Sequence, residues 1–354
     1  MLSGNIGEWS EVYVFFKLLA EGKLHTASSD LSFHEGSYYP IVKILRQQKD
    51  FSYDYEISGS DVRISSNHKT QPDIFISRIS FENAANELIR AIAMAEGNFS
   101  VPAAESIIND AHISSLKEPH SDKGDISILA HDSRIGKETE MSFSIKSQLG
   151  SPSTLLNASG ATNFQFLLSS DLTDLQIKEL NNLGLKVLIQ QLISDGIEIS
   201  FLKTNNSQFA SNLQMIDSKM PQIIATMLLA YYSGAGTTLS DLTHAVKGMD
   251  PATFGPNNSS FYTHKIKTLL SDVALGMTPS RPWKGEYDAT GGYIIVRPDG
   301  QIVCFHAYNR EEFREYLLVS TKFETGSRKK HNFGHLYRID SGICIDLNLQ
   351  IRFL

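Results

Sequence analysis

Residues Gly124 to Gln148 read GDISILAHDSRIGKETEMSFSIKSQ, and two alternating runs within that stretch set the fold. In the first, Ile126, Ile128 and Ala130 fall on one side and Asp125 and Ser127 on the other. In the second, Met141, Phe143 and Ile145 face one way, and Ser142, Ser144, Lys146 and Gln148 the other. Successive strand side chains alternate faces, so this is the pattern of two half-buried strands. The polar segment Asp132 to Lys137, with Gly136, turns the chain between them. A turn centred between Ile135 and Gly136 sets Asp125 opposite Lys146 and Ser127 opposite Ser144. Directly opposed side chains have Cβ atoms roughly 5 Å apart. A one-residue slip would carry Asp125 to the apolar face, which burial of Phe143 and Ile145 opposes.

The expected Asp–Lys pair has two readings. A cross-strand ion pair on a sheet surface is ordinary and contributes about 0–1 kcal/mol. The same pair also suits a metal-dependent phosphodiesterase centre. There Asp125 would bind a divalent cation, and Lys146 would hold the attacking water or the transition-state charge.

The composition narrows the classes. The chain has 354 residues, 41% of them hydrophobic, enough for two or three core units at about 100–200 residues each. No window approaches the roughly 18 uninterrupted apolar residues of a membrane span. The opening MLSGNIGEWSEV lacks the cationic start and apolar run of a signal peptide. Two cysteines, Cys304 and Cys344, support neither a disulfide framework nor a zinc knuckle, and a reducing cytoplasm is expected. A net charge of −7 argues against unspecific coating of nucleic acid but leaves room for a locally basic cleft.

Outward from the hairpin, Gly7 to Leu19 has helical spacing at Val12, Phe15, Phe16 and Leu19, with Glu8 and Glu11 near its start and Gly22 after its end. Both glutamates also fit plain N-terminal charge. Short alternating runs over about 31–81 predict an antiparallel meander, a packing layer or a DNA-facing arm. Helices follow over Glu82–Glu96 and Pro102–Ile113. Beyond the hairpin, LGSPSTLLNASGATN (Leu149–Asn163) offers hydroxyls and amides for phosphate and base contacts, or is a plain connection. The chain from Asp171 to Gly276 reads mainly helical, with one long helix over Gln208–Tyr232 broken or kinked at Pro221. Tyr293–His306 reads as a hairpin through Pro298, Asp299 and Gly300. The most basic stretch is Ser327–His335, SRKKHNFGH, expected as a loop. Two strands close the chain.

Three of these segments carry a resemblance. GEWSEVYVFFKLLAEGKL (Gly7–Leu24), SFSIKSQLGSPSTLLNASGATNF (Ser142–Phe164) and KFETGSRKKHNFGHLYRIDSGICIDLNLQIRF (Lys322–Phe353) resemble the HpaII family of type II restriction endonucleases across essentially the whole chain. That family resembles the PD-(D/E)xK nucleases and cuts DNA at CCGG with magnesium. The resemblance implies an α/β fold: a PD-(D/E)xK core, with a mixed central sheet flanked by helices, over residues 1–170 with the meander inserted. A mainly helical region over 171–276 and a β-rich, DNA-contacting region over 277–354 complete it.

The resemblance makes Asp125 the metal-binding aspartate and Lys146 the motif lysine. Gly124 stands where the nuclease pattern has proline, and Ser144 where it has an acid. A hydroxyl is a poor substitute for a carboxylate on Mg²⁺, so the missing charge must come from elsewhere. Glu140, six residues from Lys146 and thus about 20 Å along the strand, is too distant. Related nucleases carry a first-helix glutamate in a GxxxE arrangement, which Gly7–Glu11 fits, so Glu11 is the expected second acid and Glu8 its substitute. Gln148 is expected to orient water or phosphate. DNA contacts are expected from Ser147, Gln148, Ser151, Ser153, Thr154, Asn157 and Asn163, and from Arg328, Lys329, Lys330 and His331. A palindromic target implies a homodimer on double-stranded DNA, and a restriction system implies a cognate cytosine methyltransferase. A structure-selective or repair nuclease with the same core, or a DNA-binding protein that has lost catalysis, are the rival functions.

Overall fold

The computed structural model describes residues 1–48, 51–67, 71–118, 124–132, 136–255, 259–306 and 310–354. The chain forms two compact units, Met1–Ser153 with Tyr287–Phe313, and Thr154–Glu286 with Arg314–Leu354. In chain order the first unit opens with α1 (Ile6–Glu21), β1 (Lys23–Ala27), β2 (Phe33–Gln47), β3 (Ser52–Ser58), β4 (Asp61–Ser66) and β5 (Ile74–Ser77). It continues with α2 (Arg78–Met94), α3 (Glu105–Asp110), β6 (Ile126–Asp132) and β7 (Lys137–Ser147). The second unit takes β8 (Thr154–Leu156), β9 (Asn163–Leu168), α4 (Asp174–Asn181), α5 (Leu185–Ser194), β10 (Ile199–Thr204), α6 (Ser207–Ile216), α7 (Met220–Ser233), α8 (Leu239–Met249) and α9 (Ser259–Leu275). The chain then adds β11 (Gly292–Val296) and β12 (Ile302–His306) to the first unit. It ends with α10 (Arg310–Val319), β13 (Thr321–Phe323), α11 (Arg328–His331), β14 (Leu336–Ile339), β15 (Gly342–Asn348) and β16 (Ile351–Phe353). The stretch 277–354, expected as one region, is therefore divided: β11 and β12 join the first unit, and β13 to β16 the second.

The fold is mixed α/β, but its main sheet differs from the plain central sheet expected. The strand order is β1-β12-β11-β7-β6-β2-β3-β4-β5, and β1 also pairs with β2. Six strands thus close on themselves. The long strand β2 makes this possible. Its first half pairs β1, from Ala27↔Phe33 to Lys23↔Pro40, and its second half pairs both β6 and β3. The register shifts between Ile41 and Lys43, and such irregularities bend a strand. The other closing contact is the parallel pairing of β1 with β12 at Thr26↔Cys304. The meander, β2 to β5, is antiparallel as expected, but it extends this sheet rather than forming a separate layer.

The β6–β7 hairpin exists with its faces as expected. Ile126, Ile128, Ala130, Met141, Phe143 and Ile145 are all buried. Its register is two residues away from the expected one: Ile126 pairs Phe143, Ser127 pairs Ser142, and Asp132 pairs Lys137. Gly136 is not at the centre of the turn. It takes a left-handed φ of 64° just before β7, and its N–H donates to the Asp132 carbonyl. The intervening Ser133, Arg134 and Ile135 lie outside the described residues. A two-residue shift leaves every side chain on its expected face and changes only the partners, so burial does not oppose it.

Helix α1 starts at a capping box, with Asn5 accepting from the Glu8 N–H and Glu8 accepting from the Asn5 N–H. Trp9, Val12, Val14, Phe15, Phe16, Leu18 and Leu19 are buried to within 1%. Side chains all round the helix are covered, as in a core helix rather than a surface one. It packs on α2, β7 and β2.

In the second unit β10-β9-β15-β14 form an antiparallel sheet and β13-β16-β8 a smaller one. The helix expected over Gln208–Tyr232, broken or kinked at Pro221, is broken there into two helices. Asp217 ends α6, its carboxylate accepts from the Lys219 N–H, and Pro221 sits in the first turn of α7, where its missing N–H costs nothing. Ser327–His335, expected as a loop, opens with the single-turn α11, capped by Ser327. Among the described residues no helix is long and apolar enough to cross a membrane.

Phe143 is wholly buried, so Phe143→Ala should destabilise the protein by about 3–5 kcal/mol. Phe75, 63% exposed, should tolerate Ser to within about 0.5 kcal/mol. Urea denaturation of both variants checks the contrast.

Candidate functional site

Asp125 lies one residue before β6, where the hairpin register delivers it to the side of Ser144. Its backbone N–H donates to the Phe143 carbonyl at 2.8 Å. Its carboxylate accepts from Ser144 Oγ at 3.0 Å and from the Ile145 N–H at 2.7 Å. Both bonds fall on Oδ2, and among the described residues no donor takes Oδ1. Ser144 is 2% exposed. Ser144 therefore holds Asp125 in place. Gly124 also has a steric reason. A Cβ there would lie 1.9 Å from Ser142 Oγ and 3.2 Å from Ser142 Cβ, so any side chain would push Ser142 aside.

The Asp125–Lys146 cross-strand pair expected from the sequence is absent, because the register places Ser144 rather than Lys146 beside Asp125. The two residues still share one site. A pocket of about 440 Å³ is lined by Glu11, Lys117, Asp125 and Lys146, with Asn5 and Ser10 of the α1 end and Ser147, Ser151 and Ser153 after the strand. The Lys146 ammonium sits 5.5 Å from the centre of the buried Tyr293 ring, which rises from β11 alongside β7.

Helix α1 brings Glu11 to this pocket. Its carboxyl is pushed up to about 8, first by burial and then by the charge of Asp125; Lys117, Arg46 and Lys146 act in the opposite direction. Two acidic groups thus share a space poorly screened by water, and a cation between them favours both ionised forms. Asp125 and Glu11 are the pair that could hold a divalent metal. Among the described residues no cluster of three or more His, Cys, Asp or Glu side chains is poised for a metal. A two-carboxylate site suits Mg²⁺, which keeps much of its water and takes other ligands from phosphate.

The other expected site residues divide. Glu8 is engaged in the capping box and does not line the pocket. Gln148 is exposed beyond the end of β7, where its N–H donates to Val296, and it too is outside the lining. Ser147, Ser151 and Ser153 line the pocket. Thr154, Asn157, Asn163, Arg328, Lys329, Lys330 and His331 belong to the second unit. There Thr154 pairs Arg352 in the small sheet, and Asn157 is exposed. Asn163 is 4% exposed, donates to the His331 carbonyl and accepts from Asn348. Arg328 donates to the Leu183 and Gly334 carbonyls. Asn163 and Arg328 are thus committed to internal bonds, whereas Lys329 and Lys330 are exposed.

Lys117 and Arg46 were missed by sequence reasoning. Neither stands in a motif, and Lys117 follows a segment without periodicity, so only its place eight residues before Asp125 hinted at it.

With this geometry in hand, the comparisons are specific. The HpaII restriction endonuclease family model matches residues 5–353. The type II restriction enzyme HpaII of Haemophilus parainfluenzae is 42% identical over 357 aligned positions, covering 99% of each chain. No solved structure matches.

The folded pKa of Glu11 lies above the ordinary carboxylate value of 4.5. Its burial therefore favours the fold fully below about pH 4.5, and that contribution is lost as pH rises through about 8. In metal-free protein, Glu11→Gln should become progressively more stable than the native chain between pH 5 and pH 9, by an amount on the order of a few kcal/mol. Thermal melting in EDTA across that range checks this; parallel curves would contradict it.

Proposed function

The chain belongs to the HpaII restriction endonuclease family, and from that premise we propose that it is a magnesium-dependent type II enzyme cutting double-stranded DNA at CCGG. The observation that carries the reading is the meeting of Glu11, Asp125 and Lys146 along one pocket. We place this site in the PD-(D/E)xK class, with its second acid drawn from α1 instead of the position of Ser144.

Asp125 and Glu11 would hold the magnesium ion. When bound, the ion supplies Lewis-acid charge at the phosphate. The chain's own groups do the rest. Ser144 and the Ile145 N–H fix the Asp125 carboxylate, so little reorganisation is needed when substrate arrives. Glu11 gives up its proton as the site charges, which couples loading to pH. The Lys146 ammonium orients the attacking water and offsets the negative charge that builds on the phosphate. The cut leaves 5′-phosphate and 3′-hydroxyl ends.

A palindromic target needs two such sites related by a two-fold axis, so the enzyme acts as a homodimer. A cytosine methyltransferase of the same system protects the host sequence and need not touch this chain. Ser147, Ser151 and Ser153 contact the DNA backbone at the pocket. Exposed Lys329 and Lys330 add phosphate contacts from the second unit.

Digesting phage DNA with Mg²⁺ and sequencing the fragment ends tests the reading. Discrete fragments that all end within CCGG are expected. Cutting without a shared end sequence would instead make the chain a structure-selective nuclease, and no cutting would leave a binding protein. Lys146→Ala and Asp125→Asn should each slow cleavage at least about 100-fold while leaving DNA retardation in EDTA nearly unchanged. Wild-type rates in either variant would remove that residue from the site.

A further inference from the structure

Lys117 lines the pocket, yet nothing in the family pattern accounts for it. The way the chain holds it is unusual for a surface lysine. Lys117 lies in the segment 115–118 after α3, and one buried side chain grips that segment on both sides. Arg46 of β2 is 3% exposed. One of its terminal nitrogens donates to the carbonyls of Ser115 and Leu116, at 2.8 and 2.9 Å. The other lies 3.9 Å from the Glu118 carboxylate. The neighbouring Gln47 N–H donates to the second oxygen of that carboxylate at 3.0 Å. The guanidinium itself lies over the Phe15 ring, 5.4 Å from its centre, and Leu116 is buried. The residues immediately before and after Lys117 are thus tied to the core, while Lys117 itself is exposed at the pocket.

Among the described residues, four ionisable side chains line the pocket, two acidic and two basic: Glu11, Asp125, Lys117 and Lys146. A phosphodiester approaching two carboxylates is repelled unless cations compensate, and a lysine on a backbone segment already tied down does so with less loss of freedom on binding. An ordinary solvated lysine would need no such strap.

We propose that Lys117 is a second phosphate-gripping residue of the site, held by the Arg46 strap so that its ammonium meets the non-bridging oxygens of the DNA phosphate entering the pocket. The proposal rests on the active-site reading above. It adds a catalytic contact that the motif lysine does not make.

The test measures two quantities on the wild type, Lys117→Ala, Lys117→Arg and Lys146→Ala, with a duplex containing the sequence the wild type cuts. One is single-turnover cleavage with Mg²⁺; the other is the salt dependence of binding in EDTA. Lys117→Ala should cut about 10–100-fold more slowly, and its slope of log affinity against log salt should be smaller by about 1. Lys117→Arg should recover the slope and most of the rate. Wild-type rate and slope in Lys117→Ala, with Lys146→Ala inactive, overturn the role of Lys117 alone. A slower Lys117→Ala with an unchanged slope also overturns it, because the loss would then be structural. Full activity in Lys146→Ala would mean that the active-site reading itself had failed.

Discussion

The site depends on one carboxylate held across two strands. Asp125 stands where β6 begins, and β7 grips it through the Ser144 hydroxyl and the Ile145 N–H. Everything else in the pocket is placed relative to that grip. The closed strand circuit fixes β7 between β6 and β11, and α1, buried nearly all round, cannot turn about its axis without exposing aromatic side chains. A helix locked in rotation presents Glu11 at one fixed direction. Burial, and then the charge of Asp125, thereby raise the cost of ionising Glu11, and a cation bound at such a site relieves that cost.

On the proposed reading, Ser144 orients Asp125 where a nuclease motif would have an acid, and the second carboxylate would come from α1. A carboxylate from α1 costs burial, seen in the displaced titration of Glu11. The basic side chains around it offset only part of that cost, and two of them, Arg46 and Lys117, come from parts of the chain that no motif covers.

Much of this was legible in the sequence because alternation and burial are local. The faces of β6 and β7, the start of α1 and the hairpin β11–β12 all follow from spacing. The partner of Asp125 did not, since a period of two fixes faces but not which of two equivalent registers is taken. The closure of the sheet was hidden for another reason: Thr26 and Cys304 meet across almost the whole chain, and no local pattern announces such a pairing. Spacing alone leaves Glu8 and Glu11 both as N-terminal charge, and only the GxxxE resemblance favours Glu11 over Glu8. The capping box engages Glu8, and Glu11, three residues on, reaches the pocket. Among the expected DNA contacts, polarity alone could not separate exposed Lys329 and Lys330 from Asn163 and Arg328, whose polar atoms are used inside the fold.

The most direct measurement is a titration of Mn²⁺, a spectroscopic stand-in for Mg²⁺, followed by electron paramagnetic resonance on the wild type, Asp125→Asn, Glu11→Gln and the double variant. If both carboxylates hold one ion, each single variant loses the same site and the double variant loses no more than either. Losses that add, or a Glu11→Gln protein that binds Mn²⁺ as the wild type does, would mean that the two acids do not share a cation.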